Sequence, residues 1–356
     1  MIENSNKKTT YFKIITALKA VTNITPSERP LHRAFLSAIA CSTPAFIGIA
    51  IDQFYQGLMA CMGALVILYL PAAAFKKQMF TMASGSILFV MSFTIASVTS
   101  FSAISSVLIV GFLSFVNSII CRKIHIGPPG SFFPFMLACV ATVIPFDLTT
   151  LPERTLLVAI GCAIASCFAF AYCLIFRTNT SPPKVELSPS ETKVSTWKLE
   201  LFESLLIMGT YAIALSLNLD NPYWAPISCA AVLQGRQLLS VLTRKVQRII
   251  GTLLGLLIAS LIFSSELAPI HMAILIMGLI FAIEVLMYKN YALGVIFVTP
   301  ITILFAEITS SSMSADQLIY ARFLDILIGS AIGAVGSWLI IHNYIKLYKD
   351  QATEKS

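Results

Sequence analysis

Long runs of apolar residues, separated by short polar segments, dominate the sequence. A helix needs about 20 apolar residues to cross the hydrocarbon core of a bilayer. The runs are continuous and do not alternate between apolar and polar positions, so they predict helices and not the strands of a membrane barrel. Twelve runs are candidate spans: 34–51, 57–74, 80–99, 104–121, 131–146, 155–176, 201–219, 224–241, 247–264, 269–287, 291–308 and 322–344. The predicted fold class is an all-α polytopic membrane protein.

Composition agrees with this prediction. The 356 residues are 57% hydrophobic and 12% charged, whereas about 25% of the residues in an average soluble protein are charged. A soluble enzyme, a nucleic-acid-binding domain and a disordered scaffold are therefore excluded. The eight cysteines lie in or beside predicted spans without a CxxC pair, which is typical of small packing residues. No metal-binding, nucleotide-binding or nucleophile motif is present, so we expect neither enzymatic activity nor a cofactor.

The net charge of +7 is explained by the side of the membrane on which the basic residues lie. With twelve spans, 22 of the 24 lysines and arginines fall on one side, and the opposite side holds Arg154 and Arg322. Cytoplasmic loops carry the excess of Lys and Arg in membrane proteins. Both termini are therefore predicted to be cytoplasmic, and the basic balance needs no nucleic-acid partner.

Residues 1–33 are predicted to form a cytoplasmic segment with a short helix on the inner membrane surface. Apolar residues share one face of this helix, and Lys13 and Lys19 lie away from it. This arrangement is typical of an interfacial helix. The segment has no apolar core and cleavage site of the kind that a secretory signal requires. The apolar face consists of Tyr11, Ile14, Ile15, Leu18 and Val21.

The sequence matches itself at an offset of 168 residues. Tyr55, Cys61, Arg154 and Gly161 then meet Tyr223, Cys229, Arg322 and Gly329. Each unit has six spans, an even number, so the two units are predicted to be parallel and related by an axis along the membrane normal. The predicted segments are 34–176 for the first repeat, 177–200 for a proline-containing cytoplasmic linker, 201–345 for the second repeat and 346–356 for a cytoplasmic tail.

An aromatic pair, Tyr223 and Trp224, stands at the predicted outer start of the eighth span. Two interpretations remain open for it. The pair belongs either to the aromatic belt at the headgroup level or to an outer vestibule in which the rings stack on a flat ligand.

Arg244, Arg248, Gly251 and Gly255 follow one stripe of the ninth span. The two glycines are spaced for close helix packing. The arginines either mark the cytoplasmic side or, because they share the glycine face, form a cytoplasmic mouth that collects anions.

A second stripe in the last span places two charged residues and three glycines on one face: Arg322, Asp325, Gly329, Gly333 and Gly336. Charged residues within a bilayer usually face a partner or a water-filled path. Asp325 is spaced to pair with Arg322 one turn away. The functional alternative is that Arg322 and Arg154 flank the outer end of a pathway and hold a departing carboxylate, with Asp325 competing for Arg322 and carrying a proton.

Three further acidic residues, Glu203, Glu284 and Glu307, lie near predicted span ends and are expected to be interfacial. His271 stands alone near the outer surface and is expected to be solvated.

The second half contains the segments YWAPISCAAVLQ, RKVQRIIGTLLG and ARFLDILIGSAIG. In these segments it resembles the fusaric acid resistance family, which includes bacterial exporters of aromatic carboxylic acids. The resemblance covers about 200–345, and the plant malate-channel family is distantly similar in its six-span unit. It implies an exporter of aromatic or other hydrophobic organic acids in a bacterial inner membrane, driven by the proton motive force. Its partners would be an organic anion, the lipid bilayer and a periplasmic adaptor.

The chain departs from the larger exporters of that family because only 177–200 stands between its halves, in place of a large cytoplasmic domain. The adaptor, the substrate class and a homo-oligomeric state therefore stay open. Two alternative functions also remain, a passive organic-anion channel of the same architecture and a membrane scaffold subunit that transports nothing. Sensitivity of flux to the proton gradient separates an exporter from a channel, and a scaffold gives no flux.

Overall fold

The computed structural model describes residues 30–127, 129–176, 196–233, 238–264, 267–306 and 315–353. Within these residues the chain forms helices and connections and no strand, which confirms the all-α membrane class. Twelve α-helices are present there: α1 Leu31–Ala50, α2 Phe54–Ala64, α3 Phe75–Val98, α4 Ala103–Lys123, α5 Phe132–Ala141, α6 Leu151–Ile175, α7 Thr196–Ser216, α8 Trp224–Leu233, α9 Leu238–Ile262, α10 Pro269–Leu286, α11 Tyr291–Ala306 and α12 Ala315–Thr353.

The helices differ in length more than the hydropathy pattern indicates. Seven of those described are long and apolar enough to cross a membrane: α1, α3, α4, α6, α7, α10 and α12. The apolar parts of α2, α5, α8, α9 and α11 are shorter. A helix of 10 residues, such as α5 or α8, is about 15 Å long, half the thickness of the hydrocarbon core. The run 131–146 therefore does not form the full-length helix that the sequence predicts, and within the run 224–241 the described helix α8 covers Trp224–Leu233.

The shortest helices lie in the interior of the protein. Every residue of α8 is buried, and so are seven of the ten residues of α5. A short 3₁₀ turn over Leu65–Tyr69 extends α2, and its first three residues are almost completely buried. Irregular backbone is tolerated at membrane depth only where protein surrounds it. Hydropathy counts apolar residues without regard to their conformation, which is why it overestimates the length of these helices.

The two halves can be compared helix by helix at the offset of 168 residues, and corresponding helices make corresponding contacts. Helix α2 packs against α6 in the first half, and α8 packs against α12 in the second. In both pairs a glycine permits the approach, because a Cβ on Gly161 would collide with the carbonyl oxygen of Ala60 and a Cβ on Gly329 with that of Ala225. Between the halves, α4 contacts α7 and α10 contacts α1. A two-fold axis would relate these two contacts, so they support the predicted repeat, which stays a prediction.

Segment boundaries differ from the prediction at three places. The linker predicted over 177–200 is shorter, because α7 begins at Thr196. The tail predicted from residue 346 is largely helical, because α12 continues to Thr353. Helix α1 begins at Leu31, before the predicted residue 34. The interfacial helix predicted within 1–29, the linker prolines and Glu307 lie outside the described residues.

Glu284 corrects another expectation. Instead of lying at the interface with water it is buried where α10 packs on α1, and its Oε2 accepts a hydrogen bond from Ser37 Oγ (3.4 Å). Contact between the halves covers it, which the sequence of α10 alone does not reveal. Seven of the eight cysteines are buried packing residues, and Cys167 is exposed. His271 is exposed, as expected.

Candidate functional site

Buried charged residues meet where α8, α9, α11 and α12 of the second half come together. The exposed fractions are 5% for Arg248, 2% for Arg322 and 0% for Asp325. Charged groups are expensive to remove from water, and within membrane proteins they usually mark a functional path. We call this group the arginine cluster, and it comprises Trp224, Ser228, Arg248, Tyr291, Arg322 and Asp325.

Arg248 is held by two hydroxyl groups. Its Nη2 donates to Ser228 Oγ on α8 (3.2 Å) and its Nη1 to the hydroxyl of Tyr291 at the start of α11 (3.2 Å). One turn further along α9, a Cβ on Gly251 would lie 2.6 Å from the carbonyl oxygen of Ala292. The absence of a side chain at Gly251 therefore lets α11 approach α9 closely enough for Tyr291 to reach the guanidinium. The buried Nε of Arg248 has no hydrogen-bond partner in the described structure.

Arg322 lies over an aromatic ring. Its Cζ is 4.9 Å from the centre of the Trp224 ring, a distance typical of a cation–π contact. Its Nε and Nη1 are buried, and neither has a hydrogen-bond acceptor among the described residues. Arg248, Asp325 and Tyr223 are near enough to interact with it electrostatically.

Close packing brings Arg322 to this ring. Helix α12 lies directly on α8, because Cβ atoms on Gly329 and Gly333 would stand 2.8 Å from Ser228 Cβ and 2.9 Å from the Cys229 carbonyl oxygen. The third glycine of the stripe, Gly336, faces Leu206 of α7.

Asp325 lies one turn beyond Arg322 on α12. In the part of the chain that the structure describes, neither of its carboxylate oxygens accepts a hydrogen bond. The hydrogen-bonded pair with Arg322 that their spacing allows is therefore not formed. Unpartnered buried polar atoms are rare in proteins, and each needs an explanation, such as a functional constraint, local strain or an ordered water or ion.

The structure brings the two arginines together. One sequence-based alternative places Arg248 at a cytoplasmic mouth and another places Arg322 at the outer end of a pathway, and in the structure the two belong to one cluster. The reason is the short helix α8, on which Ser228, the partner of Arg248, follows Trp224, the partner of Arg322, by one turn. That is an axial distance of about 6 Å.

Arg154 lies apart from this cluster. Its Nη1 donates to the carbonyl oxygen of Pro145 within its own half (2.8 Å), and its predicted place at the outer end of a pathway stays a prediction. Arg154 is partly exposed at the first turn of α6. The side chain of Arg244 lies outside the described residues.

Two members of the arginine cluster were not identified from the sequence. Ser228 lies inside an apolar helix, and Tyr291 begins another. Each matters only because folding places its hydroxyl beside Arg248. The other interpretation of the Tyr223–Trp224 pair, a membrane-interface belt, conflicts with its burial, since each residue is 2% exposed.

A polar crevice lies on the other side of α8. It lies between α4, α5, α7 and α8, and its polar lining residues are Ser114, Ser118, Ser131 and Glu203. The hydroxyls of Ser118 and Ser131 are 2.9 Å apart. Cys229, which follows Ser228 on α8, is within electrostatic reach of both Glu203 and Arg248. The crevice is therefore separated from the arginine cluster by α8.

Comparison with known proteins places this site in a family context. Residues 208–336 match the family described as "Fusaric acid resistance protein-like". The "Uncharacterized membrane protein YvaC" of Bacillus subtilis (strain 168) is 31% identical over 136 residues, which cover 38% of this chain and 22% of that protein. The match thus spans about a fifth of the length of this relative. No solved structure matches the chain. The family match confirms the resemblance that the three motifs indicate, and residues 208–336 contain the whole arginine cluster.

Proposed function

We propose that this chain exports aromatic or other hydrophobic organic acids across the inner membrane of a bacterium, driven by the proton motive force, with both termini in the cytoplasm. The observation that carries the proposal is the arginine cluster, in which two buried guanidinium groups keep unpartnered N–H groups and one of them, that of Arg322, lies over the Trp224 ring. Guanidinium groups bind carboxylates with paired hydrogen bonds, and aromatic faces bind flat rings. Both halves of an aromatic acid therefore find complementary groups at one place.

One part of the proposed driving force is the membrane potential. Moving one elementary charge through a membrane potential changes its free energy by about 2.3 kcal/mol per 100 mV. A bacterial cytoplasm is negative inside, so an organic monoanion that leaves the cell moves in the favourable direction. The excess of basic residues on one side supports the orientation that this proposal assumes.

Burial favours a carrier over the passive channel of the same architecture. A channel needs a continuous path for its ion, whereas Arg322 and Asp325 are almost inaccessible. A closed binding site between packed helices is the arrangement expected of alternating access. An adaptor protein and a homo-oligomer are further proposals that this mechanism does not require.

Flux measurements test the proposal. We would reconstitute the purified protein in proteoliposomes, load them with benzoate and follow efflux at zero membrane potential, with and without an imposed pH gradient. We expect saturable efflux that the pH gradient accelerates. Flux that follows the benzoate gradient alone would favour the channel, and absence of flux across a panel of aromatic and aliphatic acids would favour the scaffold.

Arg322→Ala and Arg154→Ala form a matched pair for the same assay. Each removes one arginine, at positions 168 residues apart, but only Arg322 belongs to the arginine cluster. Normal efflux by Arg322→Ala present at the wild-type level would contradict the proposed site.

A further inference from the structure

The charges in the arginine cluster do not balance. In their ionised forms, Arg248 and Arg322 contribute two positive charges and Asp325 contributes one negative charge, and all three side chains are buried. Asp220, which is within electrostatic reach of Asp325, is exposed to solvent in the connection before α8. Solvent screens an exposed charge far more than a buried one. The described buried groups of the cluster therefore carry a net charge of +1.

Other buried acids do not supply the missing charge. Glu200 is paired with Arg122 at the contact between α4 and α7. Glu284 accepts a hydrogen bond from Ser37 at the contact between α10 and α1. Glu203 lines the crevice on the other side of α8. Each is placed by packing at a different contact from the one that holds Arg322.

A single negative charge completes the cluster. Two arginines opposite Asp325 and one substrate carboxylate give two positive and two negative charges. A dianion would leave one uncompensated negative charge in the protein interior, which is strongly unfavourable. The unpartnered Nε and Nη1 of Arg322 and Nε of Arg248 provide donors for one carboxylate group.

From this count we propose that the arginine cluster selects organic acids that carry one negative charge, and that Asp325 sets this selectivity. The inference rests on the proposed function, because it concerns the substrate of the same site. Asp325 acts through its charge and not by contact with a donor, since both its oxygens are unpartnered. It keeps that charge while the anion is bound, in contrast to the sequence-based expectation that it carries a proton.

The groups that face Asp325 fit this role. Arg322 lies one turn away on the same helix, and Arg248 of α9 adds a second positive charge near Arg322. From the side of α8, Trp224 contributes an uncharged ring. Replacing Asp325 by Asn raises the net charge of the cluster from +1 to +2, which is the charge that a dianion balances.

The test compares benzoate with phthalate, which has a second carboxylate on the same ring. Initial rates are measured in proteoliposomes at zero membrane potential and at a mildly alkaline pH at which both acids are fully ionised. The wild-type protein is expected to prefer benzoate. Because electrostatic selection between closely spaced charges is strong in a poorly solvated site, Asp325→Asn should shift the benzoate-to-phthalate ratio toward phthalate by about tenfold or more. An unchanged ratio would overturn the inference.

Two further variants keep the test decisive if Asp325→Asn inserts poorly. Asp325→Glu retains the charge and should retain the preference for benzoate, even at a lower rate. The double variant Arg248→Gln with Asp325→Asn has the wild-type net charge of +1 and should also prefer benzoate, whereas a preference for phthalate in either variant would overturn the charge count.

The transport measurements distinguish a failure of this inference from a failure of the proposed function. Wild-type protein that moves neither probe contradicts the proposed function. Wild-type protein that moves benzoate, with a ratio that Asp325→Asn leaves unchanged, contradicts only the role of Asp325. Uptake of one proton for each benzoate bound, measured by calorimetry in two buffers of different ionisation enthalpy, would also overturn it, because Asp325 would then lose its charge.

Discussion

The two halves of the chain differ in how they treat buried polar groups. In the described first half, Asn117 Nδ2 donates to Ser92 Oγ (2.9 Å), and Ser97 is the one residue with an unpartnered buried side-chain atom. In the described second half, five residues have such atoms: Arg248, Arg322, Asp325, Ser330 and Ser337. Natural proteins satisfy nearly all their buried polar atoms. The unpartnered buried atoms of the described residues are therefore concentrated in the second half, where we propose the binding site.

Equivalent positions show how this difference arises. Phe80 and Leu157 stand where the second half has Arg248 and Asp325. Tyr55 is 59% exposed, whereas its counterpart Tyr223 is 2% exposed. Glycine-mediated contacts between α2 and α6 and between α8 and α12 are nevertheless alike. Under the predicted repeat, one helical framework serves both halves, and the side chains distinguish the second half as a candidate binding site.

The largest expected effect concerns the glycines at two helix contacts, those of α2 with α6 and of α8 with α12. Gly161→Val and Gly329→Val should each abolish folding, because the new side chain would overlap a backbone carbonyl group of the neighbouring helix. Gly278→Val is the matched control, since a Cβ there meets no atom within 4 Å. The measurement is the yield of monodisperse protein from detergent-solubilised membranes. Normal yield of one glycine variant and not the other would break the equivalence of the two halves.

The second prediction compares the corresponding arginines of the two halves. Arg322→Ala should reduce benzoate efflux by about 100-fold, because removing one partner of a buried charged contact costs about 2–5 kcal/mol. Arg154→Ala should stay within about twofold of the wild type, since it removes one partly exposed hydrogen bond. Initial efflux rates, normalised to the amount of inserted protein, measure the difference. Equal losses of efflux in the two variants would support a role for Arg154 in the transport pathway.

A smaller effect is expected for the residues that hold Arg248. Tyr291→Phe and Ser228→Ala each remove one hydroxyl from this guanidinium. Hydrogen bonds to charged groups contribute about 1.5–3 kcal/mol, so each variant should weaken benzoate binding by about tenfold or more. Titration of the purified protein with benzoate gives the affinities. Wild-type affinity in both variants would show that Arg248 does not need these partners.

The smallest effect concerns a neutral pair in the first half. Ser92→Ala leaves Asn117 without its hydroxyl partner and should reduce the free energy of unfolding by about 1–3 kcal/mol. Benzoate affinity should not change, because the pair lies outside the arginine cluster. Thermal unfolding and benzoate titration of the same sample distinguish the two effects. A selective loss of affinity would contradict the division of roles between the halves.

Much of the candidate site could be predicted from local patterns. The spacing of Arg322, Asp325 and Gly329 on one helical face follows from the period of the α-helix. Trp224 and Arg248 stand in motifs that carry the family resemblance. The association of Arg248 with Ser228 and Tyr291 could not be predicted, because it joins three helices that are distant along the chain.

The sequence by itself determined the membrane class and the family resemblance, since each depends on apolar runs or on contiguous motifs. Only the tertiary structure decided that α8 is short and buried, that Arg248 and Arg322 share one cluster, and that Arg154 remains apart. The physical reason is that hydropathy and charge asymmetry place loops relative to the membrane. The depth and partners of a side chain depend on how closely helices pack, and glycines such as Gly251 and Gly329 set that distance.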